Sequence, residues 1–401
     1  MRLVCSLTSG YDVIVAGAGV AGCMAAIEAS KQGVRIGLFE EHPQVGVPSH
    51  CSGVVSLSGL KLLGISSNQA FDQRLIRGAR FFPPTGSPIE ITRPEPVALI
   101  INRMKFDQYL AKNAINNGVE LHTKSRITKF EKTSDQEIHV TIQNQGVVGA
   151  KVLIDASGAG SRLPTQAGLK PPDWSQILPG LQYELIGTDR QDDLVNLYFG
   201  SKRAPGFFAW SIPTGDHSVR AGLATSKGNV RTLLDQLVKE HWPKSKIDAT
   251  KSGSVLVSGP VDRSWSPRFM VAGDAAGQVK QTTGGGIVIG GYCGMLAGKA
   301  AASAVKNPRR ADQFLETYDH EWREKFSSDL KKMGIGRRLF FGLSDTTLDK
   351  LFPALKPMLG EITDVADMDF QGTVITKLLA NRKLASLIPR IAADNIRSLF
   401  S

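Results

Sequence analysis

The sequence predicts an α/β chain that opens with a βαβ unit, continues into an antiparallel sheet and closes in helices. Three observations predict this. A glycine run, Gly17-Ala18-Gly19-Val20-Ala21-Gly22, joins a mostly apolar stretch to an alanine-rich one. A second run, Gly273-Asp274-Ala275-Ala276-Gly277, follows the apolar Phe269-Met270-Val271-Ala272 and leads to Thr282-Thr283-Gly284-Gly285-Gly286-Ile287. Between them, several short apolar segments alternate with polar residues.

Tyr11 to Ala16 reads as a strand buried in a parallel sheet, Val20 to Gln32 as a helix ended by Gly33, and Val34 to Phe39 as the next strand. Pro43 to Gly53 is a loop, and five prolines between Arg80 and Val97 limit that stretch to short strands and turns. Phe106 to Asn117 reads as a helix, Leu121 to Val148 as a hairpin or meander, and Lys151 to Asp155 as a short strand. Pro171-Pro172 marks a boundary. Gln182–Ile186, Val195–Phe199, Phe207–Trp210 and Val219–Leu223 then suit an antiparallel sheet with one covered face. Val230 to Glu240 reads as a helix, Phe269–Ala272 as a buried strand, and Arg309 onward as mostly helical and basic.

With 401 residues the chain exceeds one ordinary domain, and 42% hydrophobic with 21% charged residues suits a globular enzyme. The net charge of +11 admits an anionic membrane surface, an acidic substrate or simply a solvated basic face. No arginine-rich run interleaved with aromatics occurs, which argues against nucleic acid. Cys5, Cys23, Cys51 and Cys293 form no Cys-x-x-Cys pair, so neither a metal nor an iron–sulfur cluster is expected, and such cysteine usage suits a reducing cytosol. Met1 to Gly10 is too short and too weakly apolar for a secretory signal. Gly284 to Val305 has the low charge of a membrane span, but Lys299 and its many glycines favour a buried helix.

The spacing Gly17-x-Gly19-x-x-Gly22 between strand and helix is the arrangement that binds a dinucleotide. The first glycine permits the tight turn, the second lets backbone approach a pyrophosphate, and the third allows close packing of helix on strand. Glu40 ends the second strand, where a carboxylate accepts hydrogen bonds from ribose hydroxyls. At the second run an apolar strand delivers Asp274 into a turn, where it can either cap the turn or accept from the ribityl chain of a flavin. Taken with the N-terminal fingerprint, the second run favours a flavin.

Five segments together resemble the geranylgeranyl reductase family, particularly the archaeal digeranylgeranylglycerophospholipid reductases: Gly17–Gly22 with Glu40; Val47-Pro48-Ser49-His50-Cys51-Ser52-Gly53; Arg103-x-x-Phe106-Asp107; Asp155-Ala156-Ser157-Gly158; and Gly273-Asp274 through Gly286. Leu343 to Lys350 resembles a C-terminal segment of the archaeal members. The resemblance implies a Rossmann-type FAD-binding domain of the hydroxylase-like flavoprotein kind, with an antiparallel-sheet substrate domain and C-terminal helices. The expected division is 1–75, 98–165 and 255–308 for FAD, 76–97 and 166–254 for the sheet, and 309–401 for the helices. FAD is expected to contact Gly17, Ala18, Gly19, Ala21, Gly22, Glu40, Cys51, Gly53, Arg103, Gly273, Asp274, Gly284, Gly285, Gly286 and Ile287.

The resemblance also implies hydrogenation of isoprenoid double bonds: reduced FAD gives a hydride to one alkene carbon and an acid gives a proton to the other. Cys51 and His50 are the candidate catalytic residues. Cys51 is read as a proton donor, a redox-sensitive thiol or a small residue filling space, and His50 as a proton donor or a hydrogen-bonding residue. Arg103 resembles the family arginine that contacts FAD, with an ordinary salt bridge as the other reading. Cys5, Cys23 and Cys293 read as structural. The family's Tyr-x-Trp-x-Phe-Pro motif stands here as Phe208-Ala209-Trp210-Ser211-Ile212-Pro213, so Phe208, Trp210 and Ile212 are read either as lining for a polyprenyl chain or as core. Gln281 replaces a proline common before Thr-Gly-Gly-Gly.

The implied substrate is a polyprenyl lipid or prenyl diphosphate, and the implied electron donor a ferredoxin-like protein or NAD(P)H. The expected location is cytoplasmic, with a peripheral site at the inner face of the cell membrane as a further candidate. Leu378, Leu379, Leu384, Leu387, Ile388 and Ile391 between C-terminal cations fit either an interfacial helix or helices packed on the protein. A monooxygenase of the same fold and an electron-transfer flavoprotein are the alternative activities.

Overall fold

A computed structural model describes residues 10–67, 69–381 and 388–399. The chain forms two compact units. One comprises Met1–Ser49, Arg103–Gln176 and Leu256–Leu330; the other His50–Asn102, Ile177–Val255 and Lys331–Ser401. Cys5, Leu384 and Leu387 lie outside the described residues, as does the side chain of Ile388.

The first unit is built on an eight-stranded sheet. Its central strand β1 (Tyr11–Ala16) pairs in parallel with β2 (Ile36–Phe39) on one side and with Gly146–Asp155 on the other. The sheet continues in parallel to Glu120–His122 and to Phe269–Val271. β1 and β2 are almost wholly buried, as their near-continuous apolar sequence requires in a doubly covered parallel sheet. The Lys151–Asp155 strand is the end of a longer one that begins at Gly146 and hairpins with Ile138–Ile142.

Two helices of this unit matter most. Helix α1 (Val20–Ser30) follows β1, and helix Ile287–Lys306 follows the second glycine run. Gly290, Gly294 and Gly298 recur every fourth residue along one face of the latter. A Cβ on Gly294 would stand 2.2 Å from the Ala21 carbonyl oxygen, and one on Gly298 2.1 Å from that of Ala25. The helices therefore meet backbone to backbone, which only glycine permits. Both positions advance together, Ala21 to Ala25 and Gly294 to Gly298, so the helices run parallel and their N-termini lie at the same end. Ile287–Lys306 is long and apolar enough to cross a membrane by length and composition, but most of its apolar window is buried in the protein. Its small residues serve this packing.

The second unit carries a seven-stranded sheet in the order Lys246–Leu256, Ile177–Ile186, Ser218–Ala224, Ala209–Gly215, Leu194–Tyr198, Gly78–Phe82, Ile89–Thr92. From Ile177–Ile186 to Ile89–Thr92 the pairings are antiparallel apart from the parallel pair Leu194–Tyr198 with Gly78–Phe82. Tyr183, Val219, Ala221 and Leu223 form one face and pack under Leu234 and Leu237 of helix Val230–His241. That helix is N-capped by Asn229, whose side chain accepts from the N–H groups of Arg231 and Thr232.

The grouping differs from the expected three-part division. Residues 50–75 and 98–102 belong with the second unit: Val54–Ser56 and Asp72–Ile76 pair with Ala98–Ile101 in a separate three-stranded sheet, and Arg74 bonded to Asp193, Gln182 bonded to Cys51 and Arg220 bonded to Ser52 tie this stretch to residues of that unit. The helical region after 309 is divided as well, since helix Ala311–Phe341 belongs to the first unit as far as Leu330. Leu343 to Lys350 begins helix Asp345–Leu355, capped by Ser344, and buried Asp394 accepts hydrogen bonds from Ser344 and Thr347. Leu378 and Ile391 pack on the cluster of Leu351, Met358 and Ile362, whereas Leu379 is exposed.

Candidate active site

The first unit gathers both glycine runs. After β1 the chain turns through Gly17, whose φ of 91° lies in the left-handed region. A Cβ on Gly22 would stand 1.8 Å from the Gly17 carbonyl oxygen, so the first turn of α1 closes directly on this loop. Gly19 is the N-cap and offers no capping side chain, and nothing lies within 4 Å of where its Cβ would be. The first N–H groups of α1, with the partial positive charge of a helix N-terminus, are left for a ligand beside this open space.

Glu40 follows β2 and is buried. Its Oε2 accepts the Ala18 N–H at 2.9 Å, while Oε1 accepts the His42 N–H at 3.0 Å and lies 2.6 Å from His42 Nδ1. A carboxylate offers about four acceptor positions, so capacity for ribose hydroxyls remains.

The second run meets the first directly: a Cβ on Gly273 would stand 2.8 Å from Cβ of Ala21. A buried relay holds this turn. Gly273 N–H donates to Gln278 Oε1 at 2.8 Å, Gln278 Nε2 donates to the Tyr318 hydroxyl at 3.0 Å, and that hydroxyl donates to the Val271 carbonyl at 2.8 Å. Asp274 is exposed, and among the described residues its carboxylate accepts no hydrogen bond. The protein behind it raises its pKa, opposed by the charge of Arg103. Gly286 lies against this carboxylate, since a Cβ there would be 2.6 Å from Asp274 Oδ1. Gly284 N–H donates to the Lys280 carbonyl at 2.7 Å and Lys280 N–H to that of Gly285 at 3.0 Å, shaping the turn that delivers Gly286 as N-cap of the helix starting at Ile287. That helix, too, has no capping side chain.

Arg103 forms an i,i+4 pair with Asp107, with Nη2 3.1 and 3.0 Å from its two oxygens. Burial raises the Asp107 pKa and Arg103 pulls it back. Cys23 and Cys293 are fully buried, and burial pushes both thiols well above their ordinary range. Two uncapped N-termini of parallel helices, a buried acid already anchored and an exposed acid without a protein partner fit a dinucleotide, which needs donors for phosphates and acceptors for polyol hydroxyls.

The second unit positions the cysteine loop. Cys51 is half-buried, its sulfur accepts the Gly53 N–H at 3.3 Å, and its carbonyl accepts from Gln182 Nε2 at 3.3 Å. Arg220 is the hub beneath: Nη1 donates to the Ser52 carbonyl at 2.5 Å, Nε to Glu184 at 2.7 Å and Nη2 to Gln73 at 3.3 Å. Lys251 also reaches Glu184, at 2.9 Å. Gly53 has no room for a side chain, since a Cβ would stand 2.4 Å from the Ile101 carbonyl oxygen. His50 is exposed and packs on Gly253, where a Cβ would be 2.6 Å from its own. Arg220, Glu184, Gln182 and Gln278 are the residues that motif reading misses. The signal for Arg220 is a lone cation within Val219-Arg220-Ala221-Gly222-Leu223.

Register places Gln182, Gly222 and Trp210 in one row across three strands, with Glu184, Arg220 and Ile212 in the next row of the same face. The indole of Trp210 lies over Gly222, whose Cβ would meet Trp210 Cε2 at 2.6 Å and Gln182 Cβ at 2.7 Å. Trp210 and Ile212 thus share the face that grips the cysteine loop, opposite helix Val230–His241. Phe208 precedes this strand and meets Trp210 edge-on at 6.1 Å. All three are buried, Ile212 most deeply at 1% exposure against 8% and 9% for Phe208 and Trp210.

The profile of the family described as FAD dependent oxidoreductase matches residues 12–170. A digeranylgeranylglycerophospholipid reductase of Methanocaldococcus jannaschii is 31% identical over 92% of this chain and 96% of its own length. A second, of Methanothermobacter thermautotrophicus, is 33% identical over 86% of this chain and 92% of its own. Among solved structures, a geranylgeranyl bacteriochlorophyll reductase-like protein from Thermoplasma acidophilum matches with a TM-score of 0.83 at 27% identity, over 94% of this chain and 98% of that one. A flavin-dependent brominase, at a TM-score of 0.70 and 16% identity over 92% of this chain and 98% of its own, shares the fold. The cradle's fit to a dinucleotide and these near full-length likenesses agree, and the chain belongs to the geranylgeranyl reductase family of FAD-dependent oxidoreductases, with the digeranylgeranylglycerophospholipid reductases.

Proposed function

We propose that this enzyme hydrogenates isoprenoid double bonds of a geranylgeranyl lipid or lipid precursor. The observation that carries the reading is the near full-length similarity to reductases named for that substrate. When bound and reduced by an external donor, a ferredoxin-like protein or NAD(P)H, FAD supplies a hydride to one alkene carbon.

The chain's own residues do the rest. The first turn of α1, from Val20 to Gly22, binds the pyrophosphate through backbone N–H groups, and Glu40 holds the adenosine ribose. Asp274 accepts from the ribityl hydroxyls, and the N-terminus at Ile287 stabilises negative charge on the ring system. Cys51 holds the proton for the second alkene carbon, with the Gly53 N–H stabilising sulfur once it is given up; exposed His50 is the candidate that resupplies it. Arg220 and Gln182 fix the loop that carries Cys51. Trp210 and Phe208 give the prenyl chain an apolar surface and exclude water. The surplus of cations in the C-terminal region, Lys331, Lys332 and Arg338 among them, supports a peripheral position on anionic lipid.

Anaerobic photoreduction of the FAD-loaded enzyme, mixing with geranylgeranyl lipids and mass spectrometry test the reading. Each reduced bond adds two hydrogens as flavin is reoxidised. Reduced flavin that persists with no heavier product sinks the proposal, and a product that gains oxygen assigns the chain to the monooxygenases.

A further inference from the structure

Arg337 is half-buried. Its neighbour Arg338 is exposed, whereas the Arg337 guanidinium turns inward against two phenylalanine rings, 5.5 Å from the centroid of Phe207 and 5.0 Å from that of Phe341. Nη1 is inaccessible to solvent and, among the described residues, has no hydrogen-bond partner. Among the described residues no carboxylate reaches the group. Burial lowers its pKa to about 10, so it still carries a full charge at neutral pH. Arg220 and Arg323 each bond a carboxylate and a backbone carbonyl oxygen, and buried Arg268 bonds the Asp135 carbonyl. A guanidinium nitrogen out of solvent with only ring faces for company is costly unless an anion completes it.

The rings around it lead to the sheet face described above. Phe207 stacks on Phe208 at 4.2 Å, and Phe208 meets Trp210. A continuous row of buried aromatic rings therefore runs from the strand carrying Trp210 to the half-buried guanidinium of Arg337 at its end. The order of apolar rings and then a cation matches a ligand with an apolar chain and one anionic terminus. A guanidinium's planar fork suits phosphate oxygens, and apolar rings strengthen that pairing by excluding water.

We infer that Arg337 is the anchor for the phosphate group of the prenyl substrate, with Phe207, Phe208 and Trp210 receiving the chain that follows it. This rests on the reductase reading for the nature of the chain, but not for the anchor itself. Phosphate could come from a prenyl phosphate or from free phosphate, and the structure favours the former because the cation ends a row of apolar rings.

The test compares wild type with Arg337→Gln and Arg337→Lys, all loaded with FAD, on geranylgeranyl phosphate and on uncharged geranylgeraniol. The expected result for Arg337→Gln is a rise in KM for the phosphate of roughly 10- to 100-fold, with KM for the alcohol and FAD content unchanged and partial rescue by lysine. Equal losses on both substrates would assign Arg337 a packing role and overturn the proposal, as would no change on either. If wild type reduces neither substrate, the reductase reading fails while calorimetric binding of geranylgeranyl phosphate still decides the anchor: binding lost in Arg337→Gln supports it, and binding retained overturns it. Inorganic phosphate that binds as tightly as the prenyl phosphate makes this a free-phosphate site and overturns the assignment to substrate.

Discussion

Replacing Gly294 by alanine tests whether the parallel helix pair builds the nucleotide site. The new methyl would stand 2.2 Å from the Ala21 carbonyl oxygen, 2.9 Å from its carbon and 3.0 Å from Cα. These are backbone atoms of the first turn of α1, so no side chain can swing away. Ordinary contact needs roughly 3.4 Å or more, so the helices must separate by about 1 Å. Overpacking of this kind costs about 1–3 kcal/mol, against which alanine's better helix propensity returns up to about 1 kcal/mol. The same shift moves Ala21 away from Gly273 and parts the two glycine runs. Gly294→Ala is therefore expected to unfold at lower temperature than wild type and to bind FAD about tenfold or more weakly, at about 1.4 kcal/mol per decade. Flavin fluorescence titration of the apoprotein and calorimetry measure the two effects. Gly360→Ala is the control: it lies in helix Leu359–Val365 with nothing within 4 Å of its Cβ position, so it should stabilise by up to about 1 kcal/mol. Wild-type FAD affinity and thermal stability in Gly294→Ala would refute the reasoning.

Asp274→Ala should weaken FAD binding while leaving the apoprotein's thermal stability within about 0.5 kcal/mol of wild type, since the exposed carboxylate accepts no hydrogen bond among the described residues; unchanged FAD titration would count against its role. Arg220→Met leaves Glu184 with Lys251 alone and the Ser52 carbonyl without its donor, so a loss of about 3 kcal/mol in chemical denaturation is expected; a neutral result would show that the hub is dispensable. Burial raises the Glu184 pKa, but Arg220 and Lys251 outweigh it and hold the carboxyl below its ordinary 4.5. Its ionic stabilisation is thus present above about pH 4.5 and lost as pH falls through the lower folded value, so the stability gap between wild type and Glu184→Gln should narrow on acidification. A gap that widens would reverse the sign. Cys51→Ala should keep its FAD and lose about 100-fold in alkene reduction, measured as single-turnover flavin reoxidation; an unchanged rate would exclude Cys51 as proton donor.

The nucleotide half of the site is legible in the sequence because its determinants are local. Gly17, Gly19 and Gly22 fall between a strand and a helix that apolar pattern alone identifies, and Glu40 ends the next strand. Other features depend on partners far along the chain. Gly290, Gly294 and Gly298 look like a membrane helix or any buried one until α1 is known to lie against them. Arg220 and Gln182 reach the cysteine loop only through strand register, which no single segment encodes. The grouping of residues 50–75 is hidden for the same reason, since it follows from bonds to Gln182, Asp193 and Arg220 far along the chain. Arg337 and Arg338 are indistinguishable as letters, and only helix phase turns one inward.

The parallel helix pair also bears on when this protein can acquire its cofactor. Ala21 and Gly294 are 273 positions apart, so the cradle closes a very long loop and cannot be completed by any early segment. A nascent chain that has emerged only to about residue 170 holds the whole glycine fingerprint and all of the profile match, yet it lacks Gly273, Asp274 and the second helix. Fragments of that length should fail to retain flavin, and during synthesis α1 must wait with an uncovered face until roughly three-quarters of the chain has been made. Cofactor capture then becomes a late event in biogenesis, and a nonsense or frameshift lesion anywhere before residue 306 yields an apoprotein rather than a weakened holoenzyme.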